Sequence, residues 1–184
     1  DATIREIHHR VKNNLQTVAS LLRIQARRTH SEVAREALGQ AMRRVAAIAV
    51  VHDTLSEGLN QNVDFDVVFH RVLKLIAEVA SSHNTTVHPT SVGSFGALPS
   101  EYATPLALAL TELVTNAVEH GLAGRADGTV EIDARRTADK LTVQVRDNGV
   151  GLGEGKVGEG LGTQIVRTLI QGELSGTIDW HTLV

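Results

Sequence analysis

The chain has no cysteine, one tryptophan, one tyrosine, three phenylalanines and three prolines in 184 residues. Without cysteine there is no disulfide framework, no thiolate metal cluster and no cysteine nucleophile. Aromatics at 3% argue against binding of single-stranded nucleic acid, which uses aromatic stacking platforms. The net charge of −3 argues against a basic nucleic-acid stripe as well. No apolar run approaches the ~20 residues of a membrane span, and the opening Asp1-Ala-Thr-Ile-Arg-Glu6 does not read as a secretory leader. The expectation is a cytoplasmic chain with no membrane segment and no direct nucleic-acid contact. His30, His70, His83, His88 and His181 show no HExxH or paired-ligand spacing, which argues against a zinc site.

What is present suffices for a globular fold: 42% of residues are hydrophobic, and the length suits one domain or two small ones. From Thr3 to Arg28 there is no glycine or proline. Ile4, Ile7, Val11, Leu15, Val18 and Leu22 recur at spacings of three and four, which predicts a helix with one apolar stripe. Thr29-x-x-Glu32 reads as a capping box. The helix it opens carries Ala34, Leu38, Met42, Val45, Ile48, Ala49 and Leu55 on one side. Gly39 inside it costs about 1 kcal/mol against alanine, so packing is expected to compensate. Two such helices form an antiparallel hairpin, and a second copy covers the remaining apolar surface as a four-helix bundle. The polar break Glu57-Gly-Leu-Asn-Gln-Asn62 marks a domain boundary, with the hairpin at 1–58 and a second domain at 63–184. Charge shifts there: residues 1–57 hold nine Lys+Arg against six Asp+Glu, and residues 58–184 nine against fifteen.

The second part alternates helix and strand, giving an α+β chain. Phe65 to Ala80 has Val68, Val72, Leu75, Ile76 and Val79 in helical phase, and Thr85 to Val92 leans to strand. Thr104-Pro105 predicts a cap with proline at the first helical position. The helix then runs from Leu106 to His120 until Gly121 stops it. Thr129 to Arg135 and Leu141 to Arg146 alternate in polarity and read as a hairpin across Thr137–Lys140. A glycine-rich tract precedes a helix from Leu161 to Gln171, and Gly176 to His181 reads as a further strand.

Two features of this part carry chemistry. Asp147-Asn-Gly-Val-Gly151 and Gly158-Glu-Gly-Leu-Gly162 concentrate glycine where backbone approaches a ligand closely, and the second cluster opens a helix, whose free amides and dipole favour phosphate. No Gly-Lys-Ser/Thr follows, which excludes a P-loop. Glu112, Asn116 and His120 recur every four residues, a polar strip on an apolar helix. Such a strip lines a site or caps a network, since an unpaired buried polar group costs about 1–3 kcal/mol.

Glu112-Leu-Val-Thr-Asn-Ala-Val-Glu-His120 resembles the N-box of the GHKL ATP-binding superfamily, and the two glycine clusters resemble its glycine boxes. The resemblance implies an α/β sandwich that holds ATP with Mg²⁺. It places Asn116 on the metal, Asp147 on the adenine amine, and Gly160 and Gly162 along the phosphates, with His120, Gly149, Gly151 and Leu161 beside the nucleotide. The stretch between the boxes is short and contains no phenylalanine, so the lid is reduced and an F-box is absent. The family's last strand is expected beyond Val184, where the chain stops.

Glu6-Ile-His-His-Arg-Val-Lys-Asn-Asn-Leu-Gln16 resembles the phosphoacceptor box of the HWE-related class of sensor histidine kinases. At ~100° per residue, His8 lies roughly 60° from the centre of the apolar stripe and His9 roughly 160°. His9 is therefore expected to face solvent as the nucleophile, which is also the histidine the family's pattern selects. Glu6, one turn earlier, is a candidate to orient or deprotonate its ring, and equally an ordinary partner of Arg10. Asn13 is a candidate to position phosphate or water, with Lys12 and Arg10 near the phosphate charge. His52 comes level with His9 in the hairpin but continues a core face. The reading is a dimeric kinase core whose exposed surface around Asn13, Gln16, Thr17 and Ser20 meets a response regulator. The resemblance suggests a regulator of the RNA-binding antiterminator type. Two rivals remain open on the residues: a GHKL ATPase with Glu112 as general base, and a non-catalytic dimerisation scaffold.

Overall fold

A computed structural model describes residues 2–56, 62–81, 86–122, 124, 126–151 and 161–181. The chain divides into two compact units, Asp1–Asn60 and Gln61–Val184.

In the first unit, α1 spans Ala2–Arg28 and α2 spans Glu32–Ser56. His8 meets His52 and Lys12 meets Asp53, so the helices run antiparallel. The capping residue is Ser31, whose Oγ accepts from the Ala34 amide at 3.3 Å. Thr29, expected in that role, instead offers its carbonyl to Arg35. The expected apolar stripe of α1 divides in two. His8, Val11, Leu15, Ala19, Leu22 and Ala26 are half-buried and form the seam. Ile7 and Val18, expected within it, are exposed, and with Leu21 they form a second strip roughly 90° round the helix. On α2 the fully buried residues are Ala47 and Val51. Among the described residues, only the Arg43 side chain lies within 4 Å of where a Gly39 Cβ would sit, and no close helix approach accounts for that glycine there.

In the second unit, α3 spans Phe65–Ser81, β2 Thr86–Gly93, α4 Ser100–Asn116, β4 Asp127–Arg136, β5 Leu141–Asp147 and α5 Leu161–Arg167. Two three-residue strands, β1 (Asn62–Asp64) and β3 (Ala97–Pro99), pair antiparallel. They are too short to show a period, and Asn62, the last residue of the expected polar break, opens β1. The larger sheet has the order β2-β4-β5, with β2 parallel and β5 antiparallel to β4. Pro89 sits on β2 at an edge of this sheet, where a missing amide donor is tolerated. Along β4, Gly128, Val130, Ile132 and Ala134 are buried and alternate with more exposed residues, as the polarity predicts. The predicted hairpin turn closes with the Thr137 amide donating to the Lys140 carbonyl at 2.8 Å. All three phenylalanines are spent on one cluster, Phe65, Phe69 and Phe95, with ring centroids 4.9–6.1 Å apart. Asp66, at the start of α3, anchors the loop beside it: it accepts from the Ser94 hydroxyl and from the Phe95 and Gly96 amides at 2.8–3.0 Å.

Three expectations are corrected here. First, α4 begins at Ser100, not at Thr104, and Pro105 lies inside it. Burial of Ala103, Leu106 and Ala107 outweighs the backbone hydrogen bond that proline cannot donate. Second, the helix does not continue regularly to His120. It opens into a π-helical turn over Ala117–Gly121, closed by the Leu122 amide donating to the Ala117 carbonyl at 3.0 Å. A similar turn, Thr168–Glu173, extends α5. Third, residues 176–181 form no ladder among the described residues. They alternate in burial as expected, but they are held by the Gly176 amide on the Ile170 carbonyl and by Arg167 over the Trp180 ring, 5.2 Å from its centroid.

Candidate nucleotide and phosphoacceptor sites

The polar strip of α4 lies across a graded environment. Glu112 is buried, with 7% of its surface exposed, Asn116 is half-buried, and His120 is exposed. Asn116 is the last α-helical residue before the π-turn. The i to i+5 bonding there widens the turn by one residue, and His120 lies inside that turn.

Asp147 ends β5 opposite Val130, and the chain then folds back onto the end of the π-turn. The Gly149 amide donates to Asp147 Oδ1 at 2.9 Å, and the Val150 amide donates to the Gly121 carbonyl at 2.9 Å. Asn148 braces the turn from β4: its Oδ1 accepts from the Thr129 amide at 2.9 Å, and its amide donates to the Thr129 carbonyl at 3.3 Å. A Cβ on Gly149 would fall 1.7 Å from the Gly121 carbonyl oxygen, so glycine is obligatory. Gly151 has φ +76°, a left-handed conformation that side chains resist. Asp147 is exposed, and among the described residues its Oδ2 accepts no hydrogen bond, which leaves that oxygen available to a ligand amine.

The structure therefore brings the end of the Asn116 helix and the Asp147–Gly151 turn together. From the sequence Gly121 is a helix stop; the fold also sets it against Asp147. A glycine ending a helix can serve either purpose, and nothing local to the sequence distinguishes them. Gly160 lies outside the described residues, as does the rest of 152–160. Leu161 begins α5 and is exposed, while Gly162 is buried.

On α1, His9 is exposed and His8 is half-buried, the division that the stripe angle predicts. His8 Nδ1 lies 3.3 Å from His52 Nε2, with the rings at 60°. Burial holds the His52 pKa below the usual histidine value, the His8 charge adds to this, and Asp53 opposes it. Glu6 is paired with Arg10 at 2.7 Å on an exposed face, a placement that favours the reading of Glu6 as Arg10's surface partner. Asn13, Gln16, Thr17 and Ser20 are all exposed, with the Thr17 hydroxyl donating to the Asn13 carbonyl at 3.0 Å.

Comparison with known proteins meets this geometry at both sites. Residues 6–80 match the family described as histidine kinase, from the hairpin through α3. Residues 77–171, which contain α4 and the Asp147 turn, match the family described as histidine kinase-like ATPase domain. The chain belongs to the histidine kinase-like ATPase domain family, whose match takes in just over half of it. The two matched stretches together run from residue 6 to residue 171, and the ATPase-like domain implies use of ATP. The chain is 50% identical over 98% of its length to the sensor histidine kinase PdtaS of Mycolicibacterium smegmatis, and 50% identical over 97% of its length to that of Mycobacterium tuberculosis. It spans 37% and 36% of those proteins, a little over a third of each. Among solved structures, it resembles the histidine kinase domain of the Erythrobacter litoralis blue-light-activated kinase. That match has 26% identity and a TM-score of 0.62, and it covers 94% of this chain and 82% of that one. The fold expected from the sequence, a helical hairpin followed by a GHKL-type ATP-binding domain, is borne out. Among the described residues, no helix is long and apolar enough to cross a membrane.

Proposed function

We propose that this chain is the transmitter core of a two-component sensor kinase, which phosphorylates itself on His9 and passes the phosphoryl group to a response-regulator aspartate. The observation that carries the reading is the closure of the Asp147–Gly151 turn onto the end of the Asn116 helix, in a chain that also exposes His9 on α1. In the first step a ring nitrogen of His9 attacks the γ-phosphorus, the bond to the β–γ bridging oxygen breaks, and ADP leaves. In the second step the phosphoryl passes from nitrogen to a carboxylate oxygen. Such transfers depend on positioning and charge neutralisation.

Asp147 Oδ2 accepts a hydrogen bond from the adenine amine, while Oδ1 stays tied to Gly149. Gly149 and Gly151 bring backbone close to the nucleotide, and Leu161 and Gly162, at the start of α5, serve its phosphate end; Gly160 lies outside the described residues. His120, exposed in the π-turn after Asn116, is a further candidate contact. Asn116 is the candidate Mg²⁺ ligand, with Glu112 one turn away on the same helix. This sparse donor set suits Mg²⁺, which keeps several waters and takes its remaining ligands from substrate phosphates. When bound, Mg²⁺ would neutralise charge on the β- and γ-phosphates. On the acceptor side, Asn13 lies one turn beyond His9, and Glu6, with Oε1 on Arg10, has Oε2 to offer the ring.

Exposed Ile7, Val18 and Leu21 favour homodimerisation through the hairpin. The regulator meets the exposed residues Asn13, Gln16, Thr17 and Ser20, and we place it in the RNA-binding antiterminator class. The deciding experiment incubates the purified chain with γ-labelled Mg-ATP. An acid-labile phosphoprotein is expected, lost in His9→Gln while nucleotide binding persists. Persistent labelling of His9→Gln overturns the assignment. Phosphate release without labelled protein would instead fit the ATPase with Glu112 as base.

A further inference from the structure

We propose that Gly121 is a positioning residue: by lacking a side chain it seats the Asp147 carboxylate, and so sets the preference for a base bearing an exocyclic amine. The inference rests on the reading of Asp147 as the adenine contact. Glycine at the end of a helix ordinarily supplies a left-handed conformation. Gly121 is not among the residues with positive φ, so its backbone is open to any L-residue. What excludes a side chain is Asp147. A Cβ on Gly121 would lie 2.6 Å from Asp147 Oδ1, 2.9 Å from Cγ and 3.1 Å from Oδ2, and these are its three nearest atoms.

The carboxylate cannot yield without cost to the turn. Its Oδ1 accepts from Gly149, and Gly149 itself rests on the Gly121 carbonyl, which also accepts from Val150. An alanine at 121 therefore forces the carboxylate off its seat and turns Oδ2 away from the position it holds for an amine. The backbone of α4 and of the turn stays otherwise acceptable to it. The loss falls on recognition of the amine more than on binding of ribose or phosphate.

The test compares Mg-ADP with Mg-IDP, which lacks the exocyclic amine, by calorimetry on the intact chain. The parent chain is expected to prefer ADP about 10–100-fold, the range for a hydrogen bond to a charged group. Gly121→Ala is expected to bring ADP down towards the IDP affinity and to leave IDP unchanged. A folded Gly121→Ala with the parent preference overturns the inference. Asp147→Ala that keeps the ADP preference overturns the adenine reading itself, and with it the selectivity assigned to Gly121.

A thermal double-mutant cycle covers poor folding. Gly121→Ala should lower the midpoint, or abolish folding, when Asp147 is present, and have little effect in the Asp147→Ala background. Equal loss in both backgrounds overturns the inference.

Discussion

At the residue scale, the second unit depends on carboxylates that organise backbone. Asp147 shapes the turn that meets Gly121, and Asp66 gathers the loop between β2 and β3. Burial pushes the Asp66 carboxyl up, but the Phe95 amide, the Ser94 hydroxyl and the Gly96 amide together hold it below the usual aspartate value. A carboxylate whose folded pKa is depressed adds stability above its unfolded pKa, and that stability is lost as pH falls through the folded value. Asp66→Ala is expected to cost about 1–3 kcal/mol at neutral pH, because it strips acceptors from two backbone amides beside the buried Phe95. Urea denaturation at pH 7 and again near pH 3 should show the difference between parent and variant shrinking in acid. An undiminished difference at the lower pH would show that the charge of Asp66 is not what holds the loop.

At the element scale, packing decided where helices begin and how they end. Serine and threonine both suit a cap, and Thr29-x-x-Glu32 satisfies the capping-box pattern. Only the backbone path places Ser31 at the boundary. Ser31→Ala should therefore lower stability by about 1 kcal/mol, and Thr29→Ala by clearly less; the reverse order in denaturant midpoints would restore Thr29 as the cap. Gly39 presents the opposite case. Among the described residues, nothing but the Arg43 side chain lies near its missing Cβ, so Gly39→Ala should stabilise the hairpin by about 1 kcal/mol, seen as a raised thermal midpoint. A loss of stability there would reveal a close approach by a second copy. The π-turn after Asn116 had no signal in the periodicity, because one widened turn hardly disturbs an apolar pattern. It nonetheless sets where the helix ends, because the Leu122 amide closes the turn on the Ala117 carbonyl.

At the scale of the whole molecule, the hairpin leaves apolar surface that its own two helices do not cover. Ile7 is 55% and Leu21 58% exposed, and Val18 lies on the same strip of α1. A second copy buries that strip in the proposed dimer. Leu21→Lys should shift the chain from dimer to monomer in sedimentation velocity and leave the second unit's nucleotide binding intact. A variant that remains fully dimeric would place the interface elsewhere. The apolar residues of α1 divide into two strips that the sequence presents as one, because spacings of three and four do not distinguish a seam within a chain from a seam between copies.

The sequence by itself determined the class of fold, the order of its main elements and the motifs at both sites. Helical phase, strand alternation and glycine clustering are local, and HRVKNNLQ and the N-box are contiguous runs. It also separated His9 from His8, since the angle around a helix follows from position alone. Tertiary structure decided what depends on residues distant in the chain. The β1–β3 pair, the start of α4 at Ser100, the lack of a ladder at residues 176–181 among the described residues and the seating of Asp147 against Gly121 all belong here. Each is set by which surface is available to be buried or bonded, a quantity that does not exist until the chain has folded.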